Sequence, residues 1–168
     1  MSSKHNISHT TEIAVPIDFV WKTLFDLQDW KQWNKWTLLA TKDASATPAE
    51  GMPGILKACY EGNDKDWQTF DFVFGEILHG DDKKQQQPVR LLTWRGSVAS
   101  GCLFSGHHTM RLERIDDTTT RLIHAEHFGG LLPTLGLGLP YKTLNRNYRL
   151  MNESFQAHVE QKFKEQEI

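Results

Sequence analysis

The chain has 168 residues, of which 39% are hydrophobic and 24% charged, the composition of a folded domain and not of a disordered segment. That length suits one domain, expected to run from residue 1 to 168, and buries enough surface to stand without a disulfide or a metal. Net charge is −2 with acids and bases interspersed, which excludes the concentrated positive charge a nucleic-acid partner would need.

The chain opens with the apolar segment Ile7 to Val15, read as a strand, followed by Pro16. A helix-period stretch comes next, with Phe19, Val20, Leu24 and Leu27 on one side. Proline is tolerated at such a start because its missing N–H would have no partner there. A second short helix is predicted across Asp29 to Trp36, with Asp29 either capping it or sitting in a helix–helix corner.

From Thr37 the period changes. Thr37 to Thr41 and Gly54 to Glu61 read as strands around the loop Asp43 to Pro53. Trp67 to Leu78 is a strong strand signal, since Phe70, Phe72 and Phe74 alternate with polar or small residues. Gly80 to Pro88 is a polar loop. Val89 to Gly96 and Cys102 to Ile115 are two further strands, and Thr120 to Phe128 returns after a tight turn at Asp116 to Thr119. Gly129 to Pro140 is uncharged and broken by glycine and proline. It reads as a lid over a cavity, as a loop packed on the core, or as a dimer contact. Finally, Tyr141 to Glu165 repeats Tyr141, Leu144, Tyr148, Met151, Phe155, Val159 and Phe163 at helical spacing, which gives one apolar face.

Strands joined by short connections predict an antiparallel sheet of about six or seven strands, and the last helix needs the concave side of that sheet to cover its apolar face. No internal repeat is visible. The two cysteines, Cys59 and Cys102, lie far apart outside any CxxC spacing and read as small buried hydrophobes. No apolar run approaches the roughly 20 residues of a membrane span. The start, Met1 to Asn6, lacks an apolar signal core, so a cytosolic location is expected.

Chemistry concentrates in the hairpin of the last two strands. Alternation puts Cys102, Phe104, His108, Met110 and Leu112 on one face, with Leu122, His124, Glu126 and Phe128 on the matching face of the return strand. The turn then brings His108 and His124 near Glu126. A buried carboxylate is costly without a partner, and histidine is the obvious one. Such a group would orient the polar end of an apolar ligand, act on it as acid and base, or simply satisfy itself. His107 and His108 point to opposite faces and no HExxH or cysteine spacing occurs, so no metal is expected. Gly136-Leu-Gly138 falls short of a dinucleotide fingerprint, no serine lies in a GxSxG elbow, and no cofactor is called for.

The stretch Ile13 to Asp26, with Trp30 and Trp33-Asn34, resembles the opening of the SRPBCC superfamily, which includes START-type domains and polyketide cyclase/dehydrase-like proteins. Leu92 to Gly96, Leu103 to Glu113 and Thr120 to Leu132 resemble its small bacterial-type members. The polar insert Asp81 to Gln87 and the doubled His107-His108 depart from that pattern. The resemblance implies a helix-grip fold enclosing an apolar cavity for a hydrophobic or amphipathic, lipid-like small molecule. Expected ligand-binding residues are Trp67, Phe70, Phe72, Trp94, Phe104, Met110, Phe128, Tyr148 and Phe155, with His108, His124 and Glu126 fixing orientation. Two other classes remain open. One is a cyclase or dehydratase-like enzyme using the same His/Glu set, and the other a protein-interaction module with an unused cavity, as monomer or homodimer.

Overall fold

A computed structural model describes residues 6–80, 89–98, 101–137 and 140–166. The polar insert Asp81 to Gln87, Ser100 and Gly138 lie outside the described residues. The elements run β1 (Asn6–Ile13), α1 (Ile17–Phe25), α2 (Trp30–Trp33), β2 (Thr37–Thr41), β3 (Pro53–Ala58), β4 (Gln68–Leu78), β5 (Val89–Val98), β6 (Phe104–Arg114), β7 (Thr120–Gly129), α3 (Leu131–Thr134) and α4 (Tyr141–Gln166). The seven strands form one antiparallel sheet in the order β1-β7-β6-β5-β4-β3-β2. The sheet curves around α4, which is the expected architecture.

Several boundaries differ from the sequence reading. Pro16 stands at the N-cap of α1 and not inside its first turn. The second helix is only four residues long, and Asp29 makes no capping bond. Its carboxylate sits in the corner between helices, where it accepts from His158 Nε2 at 2.8 Å and Lys162 Nζ at 2.9 Å. Burial alone would raise this carboxyl, but the hydrogen bonds and charges of Lys162 and His158 hold it below the ordinary aspartate range. Cys59 is buried as expected, with its thiol directed to the Lys65 carbonyl at 2.9 Å. Cys102 is exposed, because β6 begins only at Phe104 and leaves it in the preceding turn.

The main core lies between the sheet and the three helices α1, α2 and α4. It gathers Val20, Leu24, Trp30, Trp33, Phe74, Leu92, Trp94, Leu112, Leu122, Phe155 and Val159. Trp30 anchors the α1–α2 corner by donating its indole N–H to the Leu24 carbonyl at 2.8 Å. A second, smaller cluster at the other end joins Ile7, Phe128, Tyr148 and Met151, with Trp36, Phe104, Tyr141 and Leu144 half-buried around it. So α4 spans both clusters along its apolar face. It is tied to β1 as well: Gln156 donates to the Glu12 carbonyl at 3.0 Å and the Ala14 N–H to Glu160 at 3.2 Å. Among the described residues no helix is long and apolar enough to cross a membrane.

Candidate functional site

The β6–β7 hairpin puts His108 opposite Glu126 and Met110 opposite His124, all four on the side facing α4. His108 and His124 are buried, His124 completely. Their Nε2 atoms lie 2.5 Å apart, and His124 Nδ1 is 2.8 Å from Asn152 Oδ1 on α4. Asn152 in turn donates from Nδ2 to Thr11 Oγ1 at 3.1 Å. These contacts set the proton positions on His124. Asn152 Oδ1 can only accept, so His124 donates from Nδ1. Burial, reinforced by the neighbouring His108, pushes the His124 imidazole well below its ordinary value, so it stays neutral. Its Nε2 is therefore an acceptor, and His108 donates to it from Nε2. The other nitrogen of His108, Nδ1, faces Glu126 Oε2 at 3.6 Å.

Glu126 Oε2 also accepts the hydroxyl proton of Tyr148. Burial and the adjacent carboxylate push the Tyr148 phenol well above its usual range, which keeps it a donor. Aromatic faces close over the histidines. Trp94 stacks on His108 with ring centroids 4.0 Å apart and planes 12° from parallel, and Tyr148 stacks on His124 at 4.8 Å. Hydrogen bonds thus run Thr11–Asn152–His124–His108 through an otherwise apolar interior, and Glu126, hydrogen-bonded to Tyr148, lies 3.6 Å beyond His108 Nδ1. Asn152, His124 and His108 are buried, and Glu126 is half-buried.

Two glycines shape the floor beside this chain. Gly96 and Gly106 are paired across β5 and β6, two residues beyond the Trp94–His108 pair and on the same face. A Cβ at Gly106 would stand 2.7 Å from Glu126 Oε1, so the missing side chain is what lets the carboxylate lie over the sheet. A Cβ at Gly96 would meet nothing nearer than the Asp71 carbonyl oxygen at 3.9 Å. Phe72, on the next strand, leans the opposite way: its ring fills the space above Gly54, 2.3 Å from where a Cβ would be. The surface above Gly96 is left open in consequence.

The remaining sequence-predicted residues divide by position. Phe72, Trp94, Met110, Phe128, Tyr148 and Phe155 are buried, and Phe104 is half-buried at the rim of the smaller cluster. Phe70 is 43% exposed near the start of β4. Trp67 precedes that strand instead of opening it, and its indole N–H is held by Asp64 at 3.1 Å in the connecting loop. Sequence reasoning missed Tyr60, Tyr141 and Asn152. Burial first, and then the Glu126 charge, raises the phenols of Tyr60 and Tyr141. Among the described residues the Tyr141 hydroxyl is buried with no hydrogen-bond partner. Asn152 had left a signal, since it falls four residues after Tyr148 and three before Phe155, inside the apolar stripe of α4.

No protein-family model and no curated protein sequence matches the chain. Solved structures do. The aromatase/cyclase Zhui from Streptomyces sp. R1128 is similar with a TM-score of 0.66 and 15% identity, over 94% of each chain. A START superfamily protein from Mycobacterium smegmatis is similar with a TM-score of 0.59 and 15% identity, over 94% of this chain and 98% of that one. Norcoclaurine synthase from Thalictrum flavum, solved with a transition-state analogue, gives 0.58 at 8% identity over 92% of each. At such identities the likeness is one of fold, and fold alone assigns no chemistry. The chain shares the helix-grip fold of these structures.

Proposed function

We propose that this protein binds a hydrophobic or amphipathic small molecule between the sheet and α4, with the ligand's polar end at Glu126. The observation that carries this reading is the state of that carboxylate. Oε2 is occupied by Tyr148 and faces His108, while Oε1 lies over Gly106 beside the open surface at Gly96 and accepts no hydrogen bond from the described residues. An acceptor left free on an apolar wall is the usual way such a pocket fixes one orientation of its guest. Half-buried Phe104, Trp36 and Leu144 around the same end supply apolar surface that a ligand would cover at about 25 cal/mol per Å².

Native mass spectrometry of freshly purified protein tests the reading. The expected result is a population heavier than the bare chain by the mass of one small apolar compound, released on organic extraction. A bare-chain mass alone, together with no saturable uptake of any apolar compound offered afterwards, would overturn it.

A second reading is a cyclase or dehydratase-like enzyme, supported by the His124–His108–Glu126 chain. Its two histidines are buried and hydrogen-bonded to each other, with His124 held in one tautomer by Asn152, the preorganisation that general acid–base catalysis requires. In that reading Glu126 takes the proton from the substrate, and His108, oriented by His124 and Asn152, stabilises the resulting arrangement. The name of the aromatase/cyclase neighbour agrees with this second reading but adds no residue to it.

A further inference from the structure

Glu126 is enclosed without a counter-charge. Its side chain is 12% exposed, and among the described residues no lysine or arginine pairs with it. Other enclosed carboxylates of the chain are treated differently. Asp29, 13% exposed, is held by Lys162 Nζ at 2.9 Å and His158 Nε2 at 2.8 Å. Glu113, 24% exposed, has Arg111 at 2.9 Å and Arg121 at 3.6 Å. Around Glu126 there are only the Tyr148 hydroxyl, which donates to Oε2, and His108 Nδ1 at 3.6 Å, beyond hydrogen-bond reach. The Nε2 proton of His108 goes to His124.

A carboxylate drawn out of water with its cation missing is the costly half of an ion pair. Its field is felt nearby: after burial, the Glu126 charge is what raises the phenols of Tyr60, Tyr141 and Tyr148. The oxygen available to a newcomer is Oε1, which accepts nothing from the described residues and lies over Gly106, beside the open surface at Gly96. Three kinds of polar end can be compared there. A carboxylate would set a second negative charge against the first. A hydroxyl could donate to Oε1 but would leave the charge unbalanced. An ammonium donates and balances it in one contact. The half-buried Phe104 ring, whose edge is 3.6 Å from the Cβ position of Gly106, offers apolar surface to the carbons next to the nitrogen.

Building on the binding reading above, we propose that the ligand is a protonated amine on an apolar body, its ammonium donating to Glu126 Oε1. The protein has already borne the desolvation of the carboxylate in folding, so the incoming cation meets an acceptor that is fixed and not competing with a full water shell.

Four probes with one body test this by calorimetric titration at pH 7.5: naphthalen-2-ylmethanamine, naphthalen-2-ylmethanol, 2-methylnaphthalene and naphthalene-2-carboxylate. The amine is expected to bind at least about tenfold tighter than the alcohol and the hydrocarbon, the factor that one charge-assisted hydrogen bond supplies. The carboxylate is expected to bind weakest of the four. In Glu126→Gln, which keeps an acceptor for Tyr148 and removes the charge, the amine is expected to lose its advantage and bind within about twofold of the hydrocarbon. An amine no tighter than the alcohol or the hydrocarbon in the native protein, or a tightest-binding carboxylate, would overturn the amine assignment and leave the binding reading standing. An amine advantage that persists in Glu126→Gln would overturn it too. The ranking in the native protein needs no variant to fold. Failure of all four to saturate the native protein would overturn both readings.

Discussion

His124 has the most restricted surroundings of any titratable side chain here. It is sealed from water, donates to Asn152 and accepts from His108, and is held neutral. A histidine whose folded-state value is lowered takes up its proton in the unfolded chain first. Its contribution to stability is thus complete above the unfolded value near pH 6.5, and is lost as pH falls below that toward the folded value. The limiting slope for one such group is about 1.4 kcal/mol per pH unit. Thermal melts of the native protein between pH 7.5 and 5.5 should show Tm falling through this window. His124→Gln should cost about 1–3 kcal/mol at pH 7.5, since it disturbs two buried hydrogen bonds, and should show a shallower fall in acid. Equal slopes in the two proteins would mean that His124 is not the group responsible. Much of this was legible in the chain: alternation alone put His108, His124 and Glu126 on one face. Tyr60, Tyr141 and Asn152 were not legible beside them, because these residues lie 15 or more positions away in the chain and no local period encodes their approach.

At the scale of elements, the alternation of Phe70, Phe72 and Phe74 identified β4 and its inward face. It could not tell where along the strand the helical cover ends, and so Phe72 and Phe74 are buried while Phe70 is largely exposed. Nor could it tell which way a ring leans. Phe72 turns toward β3 because Gly54 offers it space, and that turn is what keeps the surface over Gly96 clear. Gly54→Ala would put a methyl within 2.5 Å of two ring atoms and 2.8 Å from the Ala40 carbonyl oxygen, part of the backbone. Overpacking of this kind costs about 1–3 kcal/mol. Chemical denaturation should find that loss, and ligand affinity should drop as the ring is forced back toward β5. An unperturbed midpoint with unchanged affinity would show that the ring does not depend on Gly54. The segment after β7 was read three ways from its composition. α3 hangs on the turn before β6 through the Leu131 and Leu132 N–H groups, each 3.0 Å from the carbonyls of Cys102 and Leu103. Leu131, Leu135 and Leu137 remain 53–60% exposed, while Pro133 between them is buried. Composition flagged its apolar character, but the short α3 turn depends on backbone bonds to the distant turn before β6.

For the molecule as a whole, the order of elements was enough to anticipate a sheet gripping one long helix, because an amphipathic α4 has nowhere else to bury its apolar face. Whether that grip is filled or hollow depends on volumes, which no periodicity carries. Gly96 is where the two possibilities separate. If the space above it is the ligand's, Gly96→Phe plugs that space with the protein's own ring while adding apolar burial. The direct measurement is calorimetric titration of 2-methylnaphthalene into the native protein and into Gly96→Phe, with the melting temperature of each recorded alongside. The expected outcome is saturable binding to the native protein, at least tenfold weaker binding to a variant that melts no earlier, and no change in secondary structure. Equal affinity in the two proteins, or a variant that can no longer fold because the site was already full, would contradict a binding space between the sheet and α4.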